Sequence, residues 1–203
     1  MKTGKMLIFL TTVLLAGCIP SLHPLYTEKE LVFEEGLLGS WCENETDKTN
    51  SWQFERAGEK AYKLIYTDSD GEKGPFEVHL VKLDDMLFLD LYPAEVEIKA
   101  SKFYKMHLLP AHTFMKIEAM DPNLQMSMMD PEKMKKMLEA DPNLLKHEIE
   151  NNNPVLTAST AELQEFMKKH ANDEGLFGDL SNMPHCRITE PNEPAAVDPN
   201  SVQ

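Results

Sequence analysis

Between Leu38 and Tyr92 the chain alternates apolar and polar residues in short runs, and turn residues close each run. Leu38-Gly39-Ser40-Trp41 opens the first. Trp52 and Phe54 alternate with Gln53 and Glu55, and Ala57-Gly58-Glu59-Lys60 then turns the chain. Tyr62, Leu64 and Tyr66 alternate with Lys63, Ile65 and Thr67 ahead of a second turn, Asp68-Ser69-Asp70-Gly71. Phe76, Val78 and Leu80 follow, and after Asp84-Asp85 the run Met86 to Tyr92 carries Leu87, Leu89 and Leu91 on one face. Successive side chains on a strand point to opposite faces, so each run buries one side. Strands this short, joined by tight turns, fold back as an antiparallel meander. Two further strands are expected at Lys105–Leu109 and Thr113–Ala119, separated by Pro110.

Beyond residue 130 the period changes. Asp130-Pro131-Glu132 reads as a helix start, with Asp as N-cap and Pro at the first helical position. Met134, Met137 and Leu138 then fall at i, i+3 and i+4, an apolar stripe. A second helix is expected from Ser159 or Thr160: Ser159 and Glu162 have capping-box spacing, Leu163, Phe166, Met167 and His170 share a face, and Gly175 lies past the end. Leu144–Ile149 and Val155–Thr157 read as a strand pair around Asn151-Asn152-Asn153. Asp-Pro-Asn-Leu occurs at 121–124 and at 141–144, which is repeated turn chemistry. The expected class is α+β: an antiparallel meander of six to eight strands with two helices in the second half, curved enough to form a small barrel. Gly39-Ser40-Trp41 resembles the G-x-W of lipocalin-like proteins, which implies a barrel with the tryptophan as a plug at one end. Helices placed late in the strand order depart from that pattern.

The N-terminus carries an address. Lys2 and Lys5 precede an apolar run, Met6 to Leu15, far shorter than the ~20 residues of a membrane-spanning helix. Leu15-Ala16-Gly17-Cys18 resembles the lipobox of bacterial lipoproteins at all four positions. The resemblance implies cleavage before Cys18, a diacylglyceryl thioether on its sulfur and further acylation, with chains such as palmitate, of the new amino terminus. Each buried methylene adds ~0.8 kcal/mol of membrane affinity, so two or three chains make a stable anchor. The competing reading is an ordinary secretory signal with Cys18 merely nearby. A lipid-anchored, extracytoplasmic envelope protein is expected, and Ile19, rather than aspartate, after the cysteine favours the outer membrane in a cell with two. The expected organisation is a signal peptide at 1–17, a tether at 18–30, one domain at 31–180 and a disordered tail at 181–203. Over residues 20–180 the stretches GLLGSW, FLDLYP, LPAHTF and LTASTAELQEF are similar to a group of bacterial lipoproteins without an established activity.

Charge narrows the partners. Loss of residues 1–17 removes two lysines and no acid, taking the formal net charge from −14 to −16. Such an excess of acid repels nucleic-acid phosphates, so no nucleic acid is expected, and it leaves membrane attachment to the lipid. Cys42 and Cys186 remain after cleavage, either as a disulfide closing a loop of about 145 residues or as two free thiols.

Catalytic signatures are missing: there is no G-x-S-x-G, H-E-x-x-H, C-x-x-C or P-loop. Acid pairs such as Glu34-Glu35 and Asp84-Asp85 are ordinary solvated turns, and no catalytic residue or cofactor is assigned. His107 and His112 fall on opposite faces of a continuous strand, with no third metal ligand in view. Residues 126 to 137, MSMMDPEKMKKM, hold five methionines. Thioethers suit Cu(I), yet methionine is equally a core filler. The expectation is a non-enzymatic protein binding an apolar ligand or an envelope partner, with Trp41, Trp52, Phe54, Tyr62 and Tyr66 lining or filling the barrel. The alternative is a Cu(I) site made from the Met126–Met137 cluster.

Overall fold

The computed structural model describes residues 18–44, 49–94 and 98–186. The expected signal peptide and the last part of the tail, 187–203, lie outside the described residues. The strands are β1 (Leu31–Val32), β2 (Gly39–Cys42), β3 (Ser51–Arg56), β4 (Tyr62–Thr67), β5 (Lys73–Leu83), β6 (Met86–Pro93), β7 (Thr113–Ala119), β8 (Leu124–Met128), β9 (His147–Glu150), β10 (Asn153–Leu156) and β11 (Ser181–Met183). The helices are α1 (Lys102–Lys105), α2 (Pro131–Ala140) and α3 (Thr160–His170), and a single 3₁₀ turn spans Glu35–Leu37.

One antiparallel sheet runs in the order β11-β8-β7-β6-β5-β4-β3-β2, with β1 added to β5. From β2 to β8 every strand pairs with the next in sequence, the meander expected from alternation. Its hairpins follow the turn residues: Asp84 takes φ 54° in the two-residue link between Leu83 and Met86, and Asn151 and Asn152 take φ 49° and 66° between β9 and β10. Positive φ at both central positions matches the right-handed twist of the strands it joins, and asparagine tolerates it.

The sheet curls until its two edges almost meet. Past β11 the chain reaches β2: the Cys42 N–H donates to the Pro184 carbonyl at 3.0 Å, and the Cys186 N–H to the Ser40 carbonyl at 2.8 Å. Trp41 faces His185 across this seam, their rings stacked 3.7 Å apart. A disulfide joins Cys42 to Cys186 beside them, with Cα atoms 5.2 Å apart. The result is a nearly closed antiparallel barrel. Gly39 begins β2 with φ +119°, and a Cβ there would lie 3.2 Å from the His185 ring. Only glycine combines that backbone with so close a neighbour.

Two cores share the same strands. Trp41, Phe54, Tyr62, Leu64, Val78, Leu80, Leu89 and Leu91 fill the barrel. The alternate residues Val81, Phe88 and Phe114 point outward and are buried as well, beneath α2, α3 and residues 19–31. Small barrels are just wide enough for side chains to fill, and this one is filled. The helices start as their caps require: the Asp130 carboxylate accepts from the Lys133 N–H at 2.7 Å, and Ser159 and Glu162 form a capping box.

Three expectations are corrected. Residues 18–30 are not a free tether: Ile19, Ser21 and Leu25 are buried, and Ser21 pairs with His112 through two backbone hydrogen bonds of 2.8 Å. Lys105–Leu109 is not a strand. Ser101 caps α1 by accepting from the Tyr104 N–H, and β6 pairs directly with β7, so the alternation of 105–109 finds no neighbour to bond. The tail does not begin at 181, because Ser181–Met183 is a strand on β8 and residues 184–186 close the barrel.

Candidate functional site

The strand register defines one end of the barrel. Cys42 pairs with Ser51, Ser51 with Thr67, Thr67 with Lys73, Leu91 with Thr113 and Met115 with Met128. At this mouth lies a pocket of about 270 Å³, lined by Cys18, Trp52, Tyr66, Met115, Met126, Met128, Met129 and Met183, with Glu43, Asp130 and Asp179 among its polar residues.

Each wall has a local origin. Trp52 and Tyr66 are directly opposite on β3 and β4, and their rings meet at 5.1 Å. Met126 and Met115 are inward residues of neighbouring strands, and Met183 reaches the pocket from β11. Cys18 arrives from outside the sheet, its Sγ 3.6 Å from the Met128 Sδ. Cys18 as a residue is exposed, yet its thiol lies against the pocket wall, and this partial desolvation pushes the thiol pKa up. The Tyr66 hydroxyl is likewise pushed up, first by burial and then by the acids Asp68 and Glu43. The floor is therefore sulfur and aromatic carbon, and acids stand around it.

The residues singled out in the sequence divide. Met126, Met128 and Met129 converge on the pocket, but Met134 is fully buried under the outer core and Met137 packs against it. Met115 and Met183 join the site from β7 and β11, and nothing in their local sequence marks them. Trp52 and Tyr66 line the mouth, whereas Trp41, Phe54 and Tyr62 fill the interior; the Trp41 Nε1–H donates to the Leu37 carbonyl at 3.0 Å. His107 and His112 do not share a site. His107 bonds the Phe103 carbonyl, while His112 faces the buried Asp90 carboxylate. Among the described residues no group of three or more His, Cys, Asp or Glu side chains is arranged to hold a metal ion.

A larger cleft, about 550 Å³, runs between α3 and residues 142–146. Two of its polar side chains are already engaged: Lys146 pairs with Glu162 at 2.8 Å, and His170 with Asp173 at 2.7 Å. Lys146 and Ser159 hold the Glu162 carboxyl down at about 2. That cleft is a solvated groove between packed elements, and the mouth is the better candidate despite its smaller volume. No protein-family model, curated protein or solved structure matches this chain.

Proposed function

We propose that this chain is a lipid-anchored protein of the cell envelope that binds an apolar group at the mouth of its barrel, without catalysing a reaction. One observation carries the reading: the methionine- and aromatic-lined pocket abuts Cys18, the residue that the lipobox resemblance marks for acylation. Flexible thioethers adapt to irregular apolar ligands, and paired aromatic rings give a flat wall. The filled interior restricts the ligand to the mouth. Glu43, Asp130 and Asp179 disfavour a fatty-acid anion, so a neutral or cationic head group on an alkyl chain fits best.

The second reading is a Cu(I) site. It is favoured by the gathering of Met126, Met128 and Met129 in the pocket that Cys18 also lines, with the Met128 Sδ 3.6 Å from the Cys18 Sγ, and it loses Met134 and Met137. Replacing Met126, Met128 and Met129 by leucine separates the two, since leucine keeps the pocket apolar and removes the soft ligands. Native mass spectrometry of the mature chain, purified from its own envelope, is the test. Non-covalent mass that extracts into organic solvent and survives the leucine substitutions supports the apolar ligand. Mass matching copper, lost to a Cu(I) chelator and absent from the triple variant, replaces it with the metal site. Protein mass without any adduct removes both.

A further inference from the structure

Ten large hydrophobic side chains are left exposed among the described residues, and six lie between Ile98 and Leu109, in the connection from β6 to β7. Phe103 is 73 % exposed, Met106 73 % and Leu109 79 %. No described residue covers them. Ser101 caps the α1 turn, and His107 bonds back to the Phe103 carbonyl at 2.8 Å, so local bonds shape a segment whose apolar side chains still face outward. Monomeric proteins seldom leave such a patch exposed without a use for it.

The charge of this segment is opposite to that of the molecule. Lys99, Lys102 and Lys105 are interleaved with the apolar residues, and no acid occurs from Ile98 until Glu118; the nearest acids on the other side, Glu95 and Glu97, precede it in sequence. The whole chain, these three lysines included, still carries a net −14. Lysines beside aromatic and aliphatic side chains form the pattern of a bilayer interface, where stems and rings enter the acyl boundary and ammonium groups meet phosphates. The net charge of the body does not forbid this, because charges more than ~10 Å from the surface are largely screened.

Position supplies the third observation. The connection leaves β6 at Pro93 and enters β7 at Thr113, so it projects from the mouth end of the barrel, the end where Cys18 lies. Its last residue, His112, is bonded to Ser21, three residues beyond Cys18. We infer that the 98–109 segment docks the mouth end of the barrel onto an anionic lipid bilayer, as a contact separate from any chain on Cys18. A second copy of this protein fits the patch less well. Isologous pairing would set the three lysines against one another with no acid in the patch to answer them.

The test uses unacylated chain 18–203 carrying Cys18→Ser. Both hydrophobic cores lie within residues 19–183, so this chain contains everything that holds the described fold. Flotation is measured with vesicles of phosphatidylcholine and with vesicles that also contain phosphatidylglycerol. The expected result is flotation with the anionic vesicles. The Phe103→Ser, Met106→Ser, Leu109→Ser variant is expected to lose at least about tenfold in partitioning, with an unchanged circular dichroism spectrum, because these side chains touch no core. Lys99→Gln, Lys102→Gln and Lys105→Gln together should abolish the preference for anionic lipid, at about fivefold per lysine. Flotation unchanged by either set, or absent from both vesicle types, overturns the inference. So does a lipid-free dimer that the serine substitutions convert to monomer, which would assign the patch to a second copy.

Discussion

The Asp90 carboxylate and the His112 imidazole lie 2.6 Å apart, Oδ1 to Nδ1, on the outer face of the barrel, and Asp90 is 1 % exposed. Its other oxygen accepts the Leu25 N–H at 2.7 Å. One buried side chain on β6 thus fastens the N-terminal segment to His112, the last residue of the β6–β7 connection. A buried carboxylate is retained only where its oxygens are satisfied, and here two donors from two segments satisfy it.

Asp90→Ala should therefore cost about 2–4 kcal/mol, since it strands a buried backbone N–H and removes the partner of His112. The loss should appear in urea denaturation. Hydrogen exchange should show residues 19–26 opening first. Exchange that rises uniformly across the barrel would contradict the role of Asp90 as a local clasp.

Reduction of the Cys42–Cys186 disulfide should lower stability by about 5 kcal/mol on the chain-entropy account, because it closes a loop of 144 residues. The double variant Cys42→Ser, Cys186→Ser should show a lower Tm and faster proteolysis beyond residue 180. A Tm unaffected by reductant would mean that seam hydrogen bonds alone hold the barrel shut.

His79 packs its ring 4.4 Å from Tyr26, and burial lowers its pKa below the ordinary 6.5, against the pull of Glu77 and Asp90. The folded state thus resists the proton that the unfolded chain accepts. The contribution is complete above pH 6.5 and declines as pH falls from there toward the lower folded value. His79→Gln should flatten the stability profile over that interval. An unaltered profile would show that another group sets it.

Glu162 gives the acid limb. Its folded pKa of about 2 lies below the ordinary carboxyl value of 4.5, so its contribution to α3 is present above 4.5 and lost as pH falls through about 2. Ser159→Ala removes the reciprocal cap and should cost about 1 kcal/mol near neutral pH. Circular dichroism of the variant across the acid range measures both effects.

Gly39→Ala should be costly despite the small change in volume, because φ +119° and the His185 ring both oppose a Cβ. A loss of about 1–3 kcal/mol is expected, in the range for backbone held in a sparsely populated region. If the variant matched the parent in denaturant midpoint, the seam would be looser than its geometry implies.

Much of this was legible in the sequence, and the reasons are local. The alternation from Trp52 to Tyr92 wrote four strands and their faces, since period two sets which side chains can be buried together. Asp130-Pro131 and Ser159 with Glu162 marked both longer helices, because the orphaned N–H groups of a helix start need those acceptors. Lys105–Leu109 misled for the converse reason: alternation makes a strand only where a neighbour offers hydrogen bonds.

The sequence by itself determined the meander and the helix starts, both of which rest on spacings of a few residues. Tertiary structure alone decided that Cys18 would meet Met128 across 110 residues, that Met115 and Met183 would join the pocket while Met134 left it, and that residues 184–186 would shut the barrel. Local pattern tells which face of a strand is buried. How far the sheet must curl before its edges meet is set by side-chain volume summed over the whole barrel, and no short stretch records that sum.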